Sequence, residues 1–316
     1  MSKLIFGCGY LGRRVAERWR DAGQEVFVVT RRADRAGRLA AEGFQPIVAD
    51  ILRPESLANL PTVETVLFAV GFDRSSGASI RDVYAGGLRS VLDVLPRDTG
   101  KIIYTSSTGV YGQTHDEWVD EDSPCEPNRD GGKACLEAEQ TLARHPLGQR
   151  GVTLRLAGLY GPGRIPNADE IRNNKPIAAS EQGYINLIHI DDAGEAVLAA
   201  AERAITPRTY VVADGVPVPR RDYHDELARL LGAPPPVFAP PAADSPRALR
   251  AGSSKRARNA RMLIELDIKI RYPSYRDGLA AIVARPEDRI NLTRLGRILV
   301  AQAVLTPRLV GSSHPS

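Results

Sequence analysis

The stretch "KLIFGCGYLGRRVAERWRDAG", Lys3–Gly23, decides the fold. Lys3–Gly7 is an apolar run of the length of one buried strand. From Tyr10 onward the apolar residues recur at helical spacing, and Gly23 closes the segment. Between strand and helix stand Gly7, Gly9 and Gly12 in G-x-G-x-x-G spacing, with Tyr10 and Leu11 inside the same loop. In that spacing the first glycine permits a tight turn, the second lets backbone approach a pyrophosphate, and the third lets helix and strand pack closely. The helix N-terminus beyond them favours phosphate charge. An ordinary turn with incidental glycines competes with this reading, and the strand–turn–helix context favours the dinucleotide loop.

Working outward, "EVFVVTRR" (25–32), "FQPIVAD" (44–50), "VETVLFAV" (63–70), "KIIYTSS" (101–107) and "GVTLRLAGLYG" (151–161) read as further strands. Helical segments near 33–42, 80–95 and 131–145 separate them. Unbroken apolar strands alternating with helices predict an α/β protein, with a doubly wound parallel sheet covered on both faces. After residue 162 the pattern loosens into a strand "INLIHI" (185–190), a helix over 192–203, "TYVVAD" (209–214) and a proline-rich connector at 233–246. Helices near 220–231, 255–265 and 275–284 follow. The expected organisation is a nucleotide-binding domain over 1–164, a smaller C-terminal α/β lobe over 165–284, and a basic extension over 285–316. One later segment is expected to return to the main sheet.

Composition narrows the class. With 43% hydrophobic and 25% charged residues, the 316-residue chain has the balance of a globular protein with a sizeable core. Three cysteines, Cys8, Cys125 and Cys135, fit neither a disulfide framework nor a metal-ligand spacing, and predict a reducing cytoplasm. No stretch reads as a signal peptide or a membrane span. Of the net charge of +4, residues 285–316 carry +3, five arginines against Glu287 and Asp288. A basic tail of this kind reads as a solvated extension, with no nucleic-acid partner expected.

The end of the second strand bears on which dinucleotide. A site for NAD usually places a carboxylate there for the ribose 2′-OH. This chain has Thr30, Arg31 and Arg32, and its first acid is Asp34. Two guanidiniums and a hydroxyl suit the 2′-phosphate of NADP, since arginine donates in a planar fork. NADP is therefore the expected cofactor and NAD the alternative.

Taken together, "GCGYLG", "VAD" (48–50), "YTSSTGVYG" (104–112), "LRLAGLYGPGR" (154–164) and "INLIHIDDAGEAV" (185–197) resemble, in type and order, the extended short-chain dehydrogenase/reductases. That superfamily includes nucleotide-sugar epimerases and dehydratases. The resemblance runs from residue 3 to about 284. It implies a Rossmann domain binding NAD(P), with a smaller lobe closing over a small-molecule substrate. It places Asp50 and Ile51 at the adenine, Ala69, Val70 and Gly71 along the cofactor, Ser107 at the substrate carbonyl and Lys133 at the nicotinamide ribose.

One departure weighs more than these matches. The family's proton carrier is the tyrosine of Tyr-x-x-x-Lys. Here Lys133 stands at the lysine position and Arg129 at that of the tyrosine. Arginine, with a pKa above about 12, cannot act as a general acid–base near neutrality. Tyr104 lies on the strand before Ser107. Tyr111 is expected either to pack or to touch substrate, and Arg164 to face the cleft, where it could bind an anionic substrate group. In "HIDD" (189–192), His189 is read as structural and Asp191 or Asp192 as the cap of the following helix. His115, Asp116 and Glu117 form either a loop reaching the substrate or a solvated run. Two functions stay open: an oxidoreductase of the epimerase/dehydratase-like group acting on an unidentified carbonyl or hydroxyl substrate, or a non-catalytic NADP-binding sensor. A homo-oligomer is compatible with either.

Overall fold

In the computed structural model, residues 1–243, 248 and 252–284 are described. The basic extension expected over 285–316 lies outside them, as does part of the proline-rich connector. The chain begins β1 (Ser2–Phe6), α1 (Tyr10–Asp21), β2 (Glu25–Thr30), α2 (Ala33–Ala41), β3 (Gln45–Val48) and β4 (Thr65–Phe68). It continues through α3 (Gly87–Val94), β5 (Lys101–Ser107), β6 (Glu117–Val119), α4 (Asp130–Arg144), β7 (Gly151–Leu156) and β8 (Gly158–Tyr160). Then come α5 (Ala168–Arg172), β9 (Ile177–Ala178), β10 (Tyr184–Ile185), β11 (Leu187–His189), α6 (Ile190–Arg203) and β12 (Arg208–Val212). The last labelled elements are β13 (Val218–Pro219), α7 (Arg220–Leu231), β14 (Phe238–Ala239) and β15 (Lys255–Ala257). Helices Ala260–Glu265 and Tyr275–Val283 follow.

Seven strands form one sheet in the order β12-β7-β5-β4-β1-β2-β3, every adjacent pair parallel. It is the Rossmann-type doubly wound sheet that the alternation of apolar strands and helices predicts. Along β1, Ile5 faces one apolar cluster while Leu4 and Phe6 face another, so both faces are dry. Each such side chain contributes roughly 1.5–3 kcal/mol by leaving water. α1 and α6 share the first cluster through Val15, Trp19, Ala193 and Val197. Leu88, Val91 and Leu142 of α3 and α4 join the second. Strand order reverses between β1 and β4, and in open parallel sheets the crevice at such a reversal, beyond the carboxyl ends of the strands, takes the ligand. A third cluster, with Tyr160, Leu187, Tyr223, Leu227 and Leu279, forms the core of the lobe beyond that crevice.

Three local expectations are corrected. The single strand expected over 151–161 divides, because Gly158–Tyr160 leaves the main sheet to pair in parallel with β11. The helix expected over 255–265 starts only at Ala260. Lys255–Ala257 is instead a strand on β6, held by the Asn186 amide, which donates to the Lys255 carbonyl at 2.9 Å and accepts from the Ala257 N–H at 2.7 Å. The helix expected from 192 begins at Ile190, so Asp191 and Asp192 lie inside its first turn and neither caps it. His189 Nδ1 does so, accepting from the Asp191 N–H at 3.2 Å. Asp192 reaches out of the helix and accepts the Arg271 and Tyr272 N–H groups at 2.8 and 3.0 Å.

Candidate active site

At the reversal of strand order the loops after β1, β2, β4 and β5 surround a cleft of about 580 Å³. The glycine loop forms its floor, and each glycine has a different physical task. Gly7 has φ +90°, and a Cβ there would run into the Ala69 carbonyl. A Cβ on Gly12 would run into the Gly7 carbonyl, so this glycine lets α1 sit against the strand. A Cβ on Gly9 would meet nothing within 4 Å. The space over Gly9 is thus open cleft, beside the first turn of α1, which contains no acidic residue. That is a cradle suited to a pyrophosphate.

Thr30, Arg31 and Arg32 line the cleft from β2, Asp50 and Ile51 from the end of β3, and Ala69, Val70 and Gly71 from the end of β4. Tyr10 and Leu11 line it from the start of α1. Arg35, which the sequence reading passed over, lines it too and donates to the Cys8 carbonyl. Its signal was available, since "TRRADR" puts a third cation one helical turn after Arg31. Both strand-end arginines have carboxylate partners: Arg32 holds Asp34 at 2.6 Å, and Arg31 lies 3.5 Å from Asp73 of the opposite loop. All four side chains are more than half exposed. Pairs so exposed contribute little to stability and yield readily to a better partner.

At the other end, Ser107 and Arg164 line the cleft, with Cys135 from α4 beside them. Ser107 Oγ accepts the Gly109 N–H at 3.0 Å, which leaves the hydroxyl's own hydrogen to point at a ligand. The Arg129 guanidinium approaches the same turn. A Cβ on Gly109 would stand 3.3 Å from Arg129 Nη2 and 3.2 Å from Ser107 Oγ. Burial pushes the Cys135 thiol up to about 11, which disfavours the thiolate at neutral pH.

Lys133 is exposed, one turn into α4, and is not among the residues that line the cleft. Tyr111 is buried away from it, its hydroxyl donating to the Asp120 carbonyl at 2.7 Å and accepting from Arg155 Nη1 at 2.8 Å. Of its two expected roles the structure shows packing. Arg155 also holds Glu139 at 2.8 Å, and Ser106 Oγ donates to the same carboxylate at 2.5 Å. No motif announces this buried network, whose members come from β5, the turn after it, α4 and β7. His115, Asp116 and Glu117 do not line the cleft; Asp116 instead accepts from Ser254 Oγ. Tyr104 is also sequestered, and burial drives its phenol well above the ordinary range.

A further buried cation lies close by. Lys255 Nζ donates to the Tyr111 carbonyl at 2.9 Å and to Ser253 Oγ at 3.0 Å. Burial, with the Arg129 charge adding to it, pushes this ammonium down to about 8. Among the described residues there is no group of three His, Cys, Asp or Glu that could hold a metal, and no helix long and apolar enough to cross a membrane.

Known proteins share this architecture. The chain is 27% identical over 275 residues to Protein YeeZ of Escherichia coli (strain K12), covering 85% of this chain and 95% of that one. It is 34% identical over 159 residues to the 3-diazoavenalumate denitrifying reductase of a Streptomyces species, covering 46% of this chain and 51% of the other. The structure of a putative NAD-dependent epimerase/dehydratase from Methylobacillus flagellatus superposes with a TM-score of 0.69 at 31% identity, over 90% of this chain and 97% of that one. Residues 4–213, glycine loop, Ser107 turn and β12 included, match the NAD dependent epimerase/dehydratase family, and the chain belongs to it.

Proposed function

We propose that the cleft binds NADP(H) in preference to NAD(H), and that the protein is an oxidoreductase acting on a carbonyl or hydroxyl group. The observation that carries the cofactor reading is the trio Arg31, Arg32 and Arg35 around the strand-end of β2, where all three line the cleft beside Asp50 and Ile51. The nearest acid in sequence, Asp34, is turned to Arg32. A 2′-phosphate arriving there would exchange weak exposed carboxylate contacts for charge-assisted ones. The open space over Gly9 and the α1 N-terminus accommodate the pyrophosphate. A nicotinamide dinucleotide held in this way supplies hydride transfer. Ser107 would donate its hydroxyl to the substrate oxygen, and Lys133, exposed on α4, would have to swing inward to reach a ribose.

Family membership and the partial likeness to a reductase support an enzyme. A second reading, an NADP-binding sensor without chemistry, is favoured by Arg129, because the position where the family carries its phenol holds a group that cannot exchange protons near neutrality. Calorimetric titration with NADPH and NADH tests the cofactor claim. NADPH should bind at least about tenfold more tightly, and Arg31→Ala should erase most of that margin. Equal affinities, or an unchanged margin in Arg31→Ala, would refute it. A screen of carbonyl compounds for NADPH oxidation then separates the readings, turnover that falls in Ser107→Ala supporting the enzyme.

A further inference from the structure

We propose that Tyr84 is a further cofactor-binding residue, whose phenol donates a hydrogen bond to the ribose next to the nicotinamide. This deepens the cofactor reading given above and rests on it.

The placement of the ring comes first. Tyr84 is half-buried and lines the cleft. It stands at the middle of a π-helical turn, Asp82–Gly86, that leads into α3. Turns of this kind are rare and occur frequently at functional sites. The ring packs against the apolar clusters of both sheet faces, so it lies across the carboxyl end of the sheet, where the two faces meet.

Its neighbours fix where along the cleft the hydroxyl sits. Burial raises the phenol above its ordinary range, Cys135 adds to this, and a hydrogen bond with the Phe72 backbone works the other way. A bond that lowers a phenol's pKa is one its oxygen accepts, because it favours the phenolate. Phe72 belongs to the loop after β4, and Cys135 stands with Ser107 in the wall at the other end. The hydroxyl therefore lies between the β4 loop and the Ser107 end. A dinucleotide running from the glycine loop to Ser107 puts a ribose in that interval, between its pyrophosphate and its nicotinamide.

The third observation is which hydroxyls are already committed. Tyr10 donates to the Pro162 carbonyl at 3.1 Å, Ser76 to the Asp73 carbonyl at 2.7 Å, Thr105 to the Phe68 carbonyl at 3.2 Å and Ser106 to Glu139 at 2.5 Å. Ser107 is reserved for the substrate oxygen, and Lys133 does not line the cleft. Among the described residues Tyr84 donates to no protein group. With its oxygen held by the Phe72 backbone and its phenol neutral at physiological pH, it has one hydrogen to give, and a ribose hydroxyl is an acceptor of the right kind.

The test uses the full chain, calorimetry and three probes: NADPH, 2′-phospho-ADP-ribose, which lacks only the nicotinamide, and 2′-phospho-ADP, which lacks the ribose as well. In Tyr84→Phe the first two should bind about five- to tenfold more weakly, the loss of one hydrogen bond, while 2′-phospho-ADP binds as it does to wild type. Tyr84→Ala, which removes the ring too, should weaken the same two probes at least as much. Equal losses for all three probes, or no loss for any, would overturn the assignment, and so would a loss confined to NADPH, which would put Tyr84 at the nicotinamide ring. If 2′-phospho-ADP binds the wild type and the added ribose brings no gain, the cofactor reading stands and the role of Tyr84 falls. If none of the three binds the wild type, the cofactor reading fails and this inference fails with it.

Discussion

The two ends of the cleft hold their charges in opposite ways. Around β2 the cations are at the surface: the Arg32 side chain is 70% exposed, and its partner Asp34 is 55% exposed. Behind Ser107 they are inside the protein, where Arg155 and Glu139 are each 9% exposed and Lys255 is 6% exposed. The first arrangement is exchangeable, since water screens each pair and a ligand can replace either partner. The second is structural, since removing one member leaves an uncompensated charge in a low dielectric. One cleft therefore has an adaptable end and a rigid end, and Arg129 stands beside the rigid one.

The largest effect expected from this contrast is on the buried ion pair. Arg155→Met leaves the buried Glu139 carboxylate without its cation and removes one donor to the Tyr111 hydroxyl, and should destabilise the protein by about 3–5 kcal/mol. Arg155→Met with Glu139→Leu should recover most of that loss, because it removes both charges. Urea unfolding compares these variants with Arg32→Ala, which should leave the midpoint close to wild type. If Arg155→Met costs no more than Arg32→Ala, the distinction between the two ends collapses.

Asp214, just after β12, extends the comparison to a charge buried with incomplete compensation. Its Oδ1 accepts the Val216 N–H at 3.0 Å, while Oδ2 is buried without a hydrogen-bond partner. Burial, helped by the nearby Asp192 charge, pushes this carboxyl up to about 7. Between the unfolded carboxylate's range near 4 and a folded value near 7, the native state binds more protons than the unfolded one, so stability falls as pH rises through that window and levels off above it. Asp192 is raised by burial too and contributes in the same direction. Asp214→Asn should therefore flatten the dependence between pH 5 and pH 8 and stabilise the protein at pH 8 by roughly 2–4 kcal/mol. Identical pH slopes for the two proteins would show that Asp214 is charged in the fold at no cost.

The smallest change in side chain gives the sharpest contrast within the adaptable end. Gly12→Ala drives a methyl into the Gly7 carbonyl, and should cost about 1–3 kcal/mol in stability. Gly9→Ala meets nothing in the protein, so its melting temperature should match wild type while NADPH binding weakens at least tenfold. If Gly9→Ala keeps full NADPH affinity, the space above Gly9 is not the pyrophosphate site.

Much of this was legible in the sequence, for a definite reason. The glycine loop, the apolar strands and the helices between them are each specified within some 20 neighbouring residues, where side-chain period and turn chemistry act directly on the backbone. The cofactor end of the cleft is built from the first residues after β1, β2 and β4, so its position follows once the sheet is recognised. The cation trio could also be read there, because Arg31, Arg32 and Arg35 lie close together in the chain.

The end behind Ser107 depended on tertiary structure. Lys255 reaches Tyr111 across 144 positions, and Arg155 reaches the same residue across 44. No local period records such contacts. Lys255–Ala257 reads as helix by its neighbours and becomes strand because β6 and Asn186 satisfy its backbone better. His189 caps α6 in place of the two acids that follow it, because the helix starts earlier than its apolar pattern suggests. The sequence by itself determined the sheet, the glycine loop and the absence of a tyrosine at 129. The tertiary structure alone decided which charges are buried, which are free to exchange, and that the Arg129 guanidinium faces Ser107 across Gly109, since burial and opposition in space arise only when distant segments are brought to one place.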